Sequence, residues 1–264
     1  MSELTIVAPE EAAERLHSVS STRAYERCPR EYLFAYVERR PEPRLSPPSW
    51  RYGSVVHYAL EAAYRHRLIR GNSVSMRECL PAAVAALHHG WAHEQLRDAR
   101  SLPATVLLLA RVLEDETVAA GDVLDVEGFL ARRSPAGVNV GGVPDLVVRV
   151  DDQTLEIRDH KVTRWMRTPE ELVDDLQLNL YGWMARERWP WARRVIAAHH
   201  YPLHHTIVRA QLTDQTMQRA VERVDDVAAI SADDVAFTPT PGEQCSWCVF
   251  LDLCPEGAAS LATA

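Results

Sequence analysis

Lysine is nearly absent from this chain of 264 residues. Lys161 is the single lysine among its 29 basic residues, and the other 28 are arginines. Such a bias is typical of GC-rich coding, because arginine codons are rich in G and C and lysine codons are not. A lysine kept under that pressure indicates a position where arginine cannot serve.

Other absences narrow the class of protein. The 37 acidic residues exceed the basic ones and give a net charge of −8, which excludes binding of nucleic acid by bulk charge alone. The longest apolar run, near residues 102–110, is too short to span a bilayer. The chain begins without a basic segment followed by an apolar one, so we expect no signal peptide, no membrane partner and a cytoplasmic location. Five cysteines in that reducing compartment favour metal ligation over disulfides.

The order of the patterns predicts an α/β fold with a helical insertion, read as one domain over 1–264. Its first part, 20–120, is mainly helical, with helices predicted over 20–39, 52–70, 74–98 and 103–120 after a loose lead-in over 1–18. Its middle part, 121–212, holds the sheet, with strands predicted over 123–132, 138–150, 154–162, 194–203 and 206–212 and a crossing helix over 169–188. Its last part, 213–264, holds a helix over 213–231 and a cysteine-bearing tail.

Two predicted strands carry charged residues that indicate metal chemistry. Asp145 lies at the edge of one strand, and Asp159 and Lys161 lie two residues apart, hence on one face of the next. Two carboxylates and an ammonium on a strand face are costly unless they pair or bind a cation, and oxygen ligands suit Mg²⁺ or Mn²⁺. The alternative is a half-exposed Asp159–Lys161 salt bridge, with Asp145 as a turn residue after Pro144. The position of the only lysine favours a functional site.

These residues resemble the signature of a known family. Pro144-Asp145 followed by Asp159-x-Lys161 is similar to the PD-(D/E)XK nuclease superfamily, and more closely to its RecB-like branch. That branch includes iron–sulfur exonucleases of CRISPR adaptation and AddB-type repair nucleases. Three further features resemble its motifs, in family order: Gly53-x-x-x-His57, Glu127 on the strand before Pro144-Asp145, and Gln177-x-x-x-Tyr181.

The resemblance implies a restriction-endonuclease-like fold, in which helices flank a central mixed sheet and an iron–sulfur cluster staples the C-terminal tail. It implies that His57, Asp145 and Asp159 bind a divalent cation, with the backbone carbonyl of His160 as a further ligand. Lys161 would position or activate the attacking water. An ammonium can shed a proton whereas a guanidinium cannot, which explains why arginine could not replace it.

Gln177, Tyr181 and Glu127 complete the catalytic set that the resemblance implies. Gln177 and Tyr181 are separated by four residues and share one helix face, from which they could orient Lys161 or contact the DNA backbone. The alternative is that both form the polar flank of a packing stripe.

Four cysteines form a second set. Cys245, Cys248 and Cys254 follow a C-x2-C-x5-C spacing, and Cys28 is the distant fourth. Four thiolates suffice for tetrahedral zinc or for a [4Fe–4S] cluster, and the spacing leaves both open. The resemblance implies a structural iron–sulfur cluster. Cys79 has no partner in any motif and is expected to be a buried thiol.

Local basic charge offers a way for an acidic protein to hold DNA. Residues 23–70 contain ten arginines and five glutamates, a local charge of +5. The candidates for phosphate contacts are Arg23, Arg27, Arg30, Arg51, Arg164 and Arg167. Tyrosine and tryptophan lie among them, a mixture typical of single-strand binding surfaces. The alternative is that these arginines are ordinary surface residues.

The sequence thus predicts a metal-dependent DNA exonuclease that prefers single-stranded ends. It would act in DNA repair and recombination or in CRISPR adaptation, together with helicase–nuclease or CRISPR integration proteins. The alternative is a non-catalytic iron–sulfur subunit that binds DNA or assembles a nuclease or integration complex. The intact set His57, Asp145, Asp159 and Lys161 argues against that alternative.

Overall fold

The structure is a computed structural model that describes residues 15–98, 101–115, 118 and 121–262. The chain divides into two compact units. The sheet unit combines Pro48–Leu130 and Gly142–Ala220, and the cysteine unit combines Met1–Pro47, Ala131–Gly141 and Val221–Ala264. Most of the lead-in predicted over 1–18, and four residues near the end of the helix predicted over 103–120, lie outside the described residues.

In the described residues, helices dominate the first part of the chain and most strands follow in the middle part. The α-helices are α1 Val19–Arg27, α2 Pro29–Tyr32, α3 Pro48–Arg70, α4 Leu80–His93, α5 Ser101–Glu114, α6 Pro169–Val173, α7 Leu176–Arg188, α8 Asp214–Asp233 and α9 Pro255–Ala262. The strands are β1 Leu16–His17, β2 Asp122–Val126, β3 Leu130–Arg133, β4 Asn139–Gly142, β5 Leu146–Asp151, β6 Thr154–His160, β7 Arg194–Tyr201 and β8 Thr206–Leu212.

The sheet unit is built on a five-stranded mixed sheet of order β2-β5-β6-β7-β8. The β6–β7 pair is parallel, and the other three pairs are antiparallel. Parallel neighbours need a crossover, which α6 and α7 supply. Helix α3 packs against α4, and its buried residues Val55, Val56 and Leu60 form one core cluster with Leu146 and Val148 of β5.

The central strand β6 is buried along its whole length although four of its seven residues are charged or histidine. Glu156 and Arg158 pair with each other there, and Glu156 also accepts a hydrogen bond from Arg209 at 2.7 Å. Arg158 donates to the Tyr64 hydroxyl of α3 at 3.1 Å. This pairing satisfies the charges of one face of β6 and leaves Asp159 at the end of the strand for another role.

Several predicted elements are divided in the structure, at or near residues of the predicted site. The strand predicted over 123–132 separates into β2 and β3 at Glu127, whose φ of 49° lies in the left-handed region. The strand predicted over 138–150 separates into β4 and β5 before Asp145. The helix predicted over 169–188 separates into α6 and α7 because Asp175 caps α7, accepting a hydrogen bond from the Leu178 N–H at 3.0 Å. That break places Gln177 in the first turn of α7.

The cysteine unit contains a small sheet of order β1-β4-β3 and a separate apolar cluster. The helix predicted over 20–39 is divided at Cys28, whose extended backbone ends α1, and Pro29 opens α2. Tyr32 and Phe34 pack there against Phe237 and Phe250. The tail after α8 is more helical than predicted, since short 3₁₀ turns over 243–247 and 251–253 precede α9.

Candidate active site and cysteine site

All of the predicted catalytic residues except Tyr181 line one cavity of about 590 Å³ in the sheet unit. Helix α3 supplies one wall, and the turn after β2, the start of β5, the end of β6 and the first turn of α7 supply the rest. The cavity is lined by Ser49, Trp50, Gly53, Ser54, His57, Tyr58, Glu61, Glu127, Asp145, Asp159, His160, Lys161, Val162 and Gln177.

His57, Glu127 and Asp145 form a group that could hold a metal ion. One ligand atom from each residue lies within 4.8 Å of those of the other two. His57 Nδ1 is 3.4 Å from Asp145 Oδ2, and the Glu127 backbone N–H donates to the Asp145 carbonyl at 3.2 Å. One imidazole and two carboxylates suit Mn²⁺ or Mg²⁺, so the residues present fit a divalent cation.

The electrostatics of this group also fit a cation. Burial and the neighbouring carboxylate of Asp159 raise the pKa of Asp145 to about 6. Burial and the charge of Asp145 raise the pKa of Glu127 to about 7. Carboxylates that repel one another in a partly buried site release that repulsion when a divalent cation binds between them.

Asp159, Lys161 and Gln177 form the second part of the site. Lys161 Nζ is 2.7 Å from Asp159 Oδ2 and donates to Gln177 Oε1 at 3.2 Å. Gln177 Nε2 donates to Asp159 Oδ1 at 2.7 Å. The two ends of the Gln177 amide therefore fix both the lysine and the aspartate, with the ammonium at the cavity wall.

Asp159 lines the same cavity but lies outside the compact group of three. The resemblance implied His57, Asp145 and Asp159 as metal ligands, whereas the structure brings Glu127 next to His57 and Asp145. The carboxylate of Asp159 is occupied by Lys161 and Gln177. Its charge still acts on Asp145 across the cavity.

Tyr181 lies behind Gln177 rather than at the cavity wall. It is buried, and burial raises the pKa of its hydroxyl to about 12, although Gln177 and the backbone of Val143 lie within hydrogen-bonding reach. Its ring packs closely against Gly142, where a Cβ atom would lie 2.5 Å from Tyr181 Cε1. Tyr181 thus supports the helix turn that carries Gln177.

His160 contributes its backbone N–H to the site, which donates to Asp145 Oδ2 at 2.6 Å. Its ring turns away and stacks on Tyr64 with a centroid distance of 5.7 Å. His160 Nδ1 and His200 Nδ1 lie 2.8 Å apart and share one hydrogen bond. Burial lowers the pKa of both rings, that of His200 to about 3, so the pair is neutral.

The six arginines predicted to contact DNA divide between the units. Arg51, Arg164 and Arg167 belong to the sheet unit, and Arg23, Arg27 and Arg30 belong to the cysteine unit. Several of them contact protein groups: Arg27 pairs with Glu31, Arg30 donates to the Phe237 carbonyl, Arg51 donates to the Glu94 carbonyl, and Arg167 pairs with Asp175. Arg164 is exposed.

The four predicted cluster cysteines line one pocket of the cysteine unit. Gly257 lies against two of them, since a Cβ atom there would lie 3.3 Å from Cys245 Sγ and 3.4 Å from Cys254 Sγ. Backbone N–H groups reach two sulfurs: Thr240 donates to Cys28 at 3.5 Å and Gly257 donates to Cys254 at 3.4 Å. Such hydrogen bonds stabilise thiolate charge, so the pocket fits a group held by sulfur. Cys79 is buried in the sheet unit, away from this pocket.

Sequence reasoning missed two features of the active site. Tyr58 and Glu61 line the cavity from α3. Glu61 lies four residues after His57 and three after Tyr58, spacings that place it next to both on the helix surface. His199 lies buried beside Asp159, with Nε2 4.0 Å from Asp159 Oδ2. No sequence signal links His199 to Asp159, because the two residues meet only through the pairing of β6 with β7.

The chain is similar to known proteins in two kinds of comparison. The family model of the PD-(D/E)XK nuclease superfamily matches residues 17–255. The crystal structure of the "Putative exonuclease" from Eubacterium rectale is similar with a TM-score of 0.55 and 12% identity, over 97% of this chain and 99% of its own. The crystal structure of SSO0001 is similar with a TM-score of 0.41 and 15% identity, over 94% of this chain and 93% of its own. None of the curated proteins matches the sequence.

The mixed sheet flanked by helices, with carboxylates and a lysine at the ends of two adjacent strands, defines a nuclease of restriction-endonuclease-like fold. The chain belongs to the PD-(D/E)XK nuclease superfamily. Its superfamily and its fold class, both predicted from the sequence, are therefore confirmed. Superfamily membership implies a DNA substrate and the use of divalent metal ions. No helix among the described residues has both the length and the apolar character that crossing a membrane requires.

Proposed function

We propose that this protein is a metal-dependent DNA exonuclease of the RecB-like branch that hydrolyses phosphodiester bonds at single-stranded ends. One observation carries the proposal: a single cavity holds His57, Glu127 and Asp145 beside Asp159 and Lys161. This is the residue set that phosphodiester hydrolysis needs, with ligands for a cation on one side and an ammonium on the other.

Each side chain has a distinct task in this proposal. A bound Mg²⁺ or Mn²⁺ supplies Lewis acidity at the scissile phosphate. His57, Glu127 and Asp145 would hold it, and Asp159 would complete the ligand set from across the cavity. Lys161 orients the attacking water and stabilises the negative charge that develops on the phosphate.

A preference for single strands is supported by aromatic side chains near the site. Trp50 and Tyr58 line the cavity, and Trp50 is 53% exposed. Trp165, four residues after Lys161, is 85% exposed between Arg164 and Arg167. Unpaired bases stack on such rings, and neighbouring guanidinium groups contact phosphates.

We further propose that Cys28, Cys245, Cys248 and Cys254 hold a structural [4Fe–4S] cluster. All four cysteines line one pocket of the cysteine unit. Their spacing in the sequence suits either tetrahedral zinc or a [4Fe–4S] cluster. The resemblance to the iron–sulfur nucleases of the RecB-like branch is what favours the cluster.

The RecB-like branch also suggests a biological setting. We propose that the chain acts in DNA repair and recombination or in CRISPR adaptation, alongside helicase–nuclease or integration proteins. The sheet unit and the cysteine unit would together form one nuclease domain, as the sequence predicts. An iron–sulfur cluster held by reduced thiols supports a cytoplasmic location.

A nuclease assay with end-labelled and circular DNA tests the proposal. The protein, purified without oxygen, is incubated with linear single-stranded, linear double-stranded and circular single-stranded DNA in Mn²⁺, Mg²⁺ or chelator. We expect metal-dependent degradation of linear single strands, slower degradation of duplex, and intact circles. Asp145→Asn and Lys161→Ala should each abolish degradation.

The matched control is Asp152→Asn, the same change at an exposed residue outside the cavity. It should leave degradation unchanged. Because circular DNA has no ends, cleavage of circular single strands would show an endonuclease and contradict the proposed exonuclease activity. Metal-dependent cleavage by Lys161→Ala at the wild-type rate would overturn the assignment of the site.

A further inference from the structure

His199 lies directly beside Asp159 in the sheet. β6 and β7 are parallel, and their register pairs Asp159 with His199. Both side chains are buried, His199 at 1% and Asp159 at 3% exposure. His199 Nε2 is 4.0 Å from Asp159 Oδ2 and has no hydrogen-bond partner among the described residues. A buried nitrogen of this kind is costly unless a polar group faces it, and the carboxylate does.

The hydrogen-bond chain behind His199 determines which nitrogen carries the proton. The Arg167 backbone N–H donates to the Tyr201 hydroxyl oxygen at 2.9 Å, and that hydroxyl lies 3.2 Å from His199 Nδ1. A backbone N–H can only donate, so the Tyr201 oxygen accepts from Arg167, and the Tyr201 hydroxyl hydrogen remains available for Nδ1. A carboxylate oxygen accepts hydrogen bonds, so Nε2, the nitrogen that faces Asp159, is the one that donates. The one ring proton therefore sits on Nε2, facing Asp159.

We propose that His199 is a positioning residue for Asp159, whose carboxylate it orients through its Nε2–H while Tyr201 fixes its tautomer. The inference rests on the proposed function, since it assigns a support to one proposed ligand of the cation. Asp159 Oδ1 accepts a hydrogen bond from Gln177. Asp159 Oδ2 lies in an ion pair with Lys161 and is also faced by His199 Nε2. A neutral donor at Oδ2 stabilises the ionised carboxylate without a second positive charge.

The consequence concerns Lys161 as much as Asp159. Without His199, the Lys161 ammonium would be the only polar group facing Oδ2 among the contacts described above, and the Asp159–Lys161 ion pair would tighten. A tighter pair would hold the Asp159 carboxylate away from the cation and the Lys161 ammonium away from the scissile phosphate. Removing an outer partner of this kind weakens metal binding by about 10- to 100-fold in comparable sites.

The test measures Mn²⁺ affinity by calorimetry, without DNA, and kcat and KM with single-stranded DNA. His199→Leu, which removes the donor, should weaken Mn²⁺ binding by about 10-fold or more and lower kcat while KM for DNA stays unchanged. His199→Gln, which keeps an N–H at the Nε2 position, should recover most of the affinity. Tyr201→Phe, which releases the tautomer, should lie between Leu and wild type.

A matched control separates positioning from loss of stability. Val195→Ala makes a small cavity on the same strand, four residues or about 13 Å from His199. It should lower the melting temperature and leave Mn²⁺ affinity unchanged. Equal affinities for His199→Leu and wild type, or equal losses for the Leu and Gln variants, would overturn the inference. If His199→Leu does not fold, the Mn²⁺ affinity of Tyr201→Phe tests the inference instead. A wild-type Mn²⁺ affinity for Tyr201→Phe would contradict the positioning of Asp159 through Tyr201 and His199.

The outcomes also separate this inference from the proposed function. A wild-type protein that binds no Mn²⁺ and cleaves no DNA contradicts the proposed function. A wild-type protein that binds and cleaves, with His199 variants that do the same, contradicts only the role of His199.

Discussion

At the scale of single residues, the lone lysine lies where its chemistry can be used. Lys161 faces the cavity at the end of β6, held by Asp159 and by the Gln177 side-chain oxygen. A guanidinium there would keep the charge but could not give up a proton, and its fork would pair with both carboxylate oxygens of Asp159. The codon bias that removed other lysines would therefore not remove this one.

We predict that Lys161→Arg lowers kcat by about 100-fold or more, the size of a lost acid–base or water-orienting group. Mn²⁺ affinity should fall as well, because a guanidinium paired with both carboxylate oxygens of Asp159 draws that proposed ligand away from the cation. Steady-state kinetics on labelled single-stranded DNA and calorimetry measure the two quantities. A Lys161→Arg variant with wild-type kcat would show that charge alone is needed at this position.

The raised pKa values of Glu127 and Asp145 predict how metal binding depends on pH. A cation binds the ionised carboxylates, so protons must leave Asp145, with a pKa of about 6, and Glu127, with a pKa of about 7. Mn²⁺ affinity should therefore rise as the pH increases from about 5 to about 8 and then level off. Calorimetry in buffers of different ionisation enthalpy should detect proton release near neutral pH.

Glu127→Gln is the variant that tests this assignment. It should bind Mn²⁺ more weakly and lose the part of the pH dependence between about pH 6.5 and about pH 8.

The folding stability of the metal-free protein changes with pH in the opposite direction to Mn²⁺ affinity. A carboxyl whose folded-state pKa is raised costs stability as the pH rises from its unfolded value toward its folded value, so metal-free Glu127→Gln should be more stable than wild type at pH 8. A steep dependence that survives in Glu127→Gln would contradict the role of this carboxyl.

Individual residues differ in how far the sequence predicts them. Alternation along one strand places Asp159 and Lys161 on the same face, and the structure agrees. The resemblance places Glu127 on a strand, but its left-handed backbone conformation depends on the turn that joins β2 to β3. The role of His199 depends on the parallel register of β6 and β7, which connects positions 40 residues apart. Period-2 patterns do not contain that register.

At the scale of elements, interruptions of regular structure place the functional groups. Asp174 ends α6 and Asp175 caps the start of α7, which directs Gln177 into the site. The break at Cys28 ends α1 and turns its sulfur into the cysteine pocket. Apolar periodicity predicts continuous helices across both breaks, because it reports the buried face and not the caps. Apolar periodicity therefore does not predict short breaks of this kind.

Replacing either of two glycines by alanine should change the folding stability in opposite directions. Gly142 ends β4 against Tyr181, and a Cβ atom there would lie 2.5 Å from the ring. Gly142→Ala should cost about 1–3 kcal/mol through overpacking and, by displacing Tyr181 and α7, lower kcat. Chemical denaturation and steady-state kinetics measure both effects.

Gly53 in the middle of α3 is the matched control. A Cβ atom there meets only Val162 at an ordinary 3.9 Å, so Gly53→Ala should stabilise the helix by about 0.5–1 kcal/mol. Because Gly53 lines the cavity, the added methyl group should raise KM for DNA while Mn²⁺ affinity stays unchanged. Equal stabilities for the two variants would contradict the packing argument.

At the scale of the whole molecule, the proposed chemistry and the proposed cluster lie in different units. All lining residues of the active-site cavity belong to the sheet unit, and all lining residues of the cysteine pocket belong to the cysteine unit. The cysteine unit joins segments from both ends of the chain, and Cys28 is over 200 residues from Cys245. Its apolar cluster is small, with six buried members. A bound cluster would thus supply much of its folding free energy.

This division predicts separate consequences for loss of the cluster. Cys248→Ser should abolish the visible absorption of the iron–sulfur group and expose the segments 28–47 and 237–262 to proteolysis, because the cross-link between them is gone. Mn²⁺ affinity should remain near wild type, because none of the proposed ligands lies in that unit. Cys79→Ala, a change at the cysteine outside the pocket, should keep the absorption and the resistance to protease. Equal loss of Mn²⁺ affinity and of absorption in Cys248→Ser would mean that the two units fold as one, with the cluster required for the geometry of the active site.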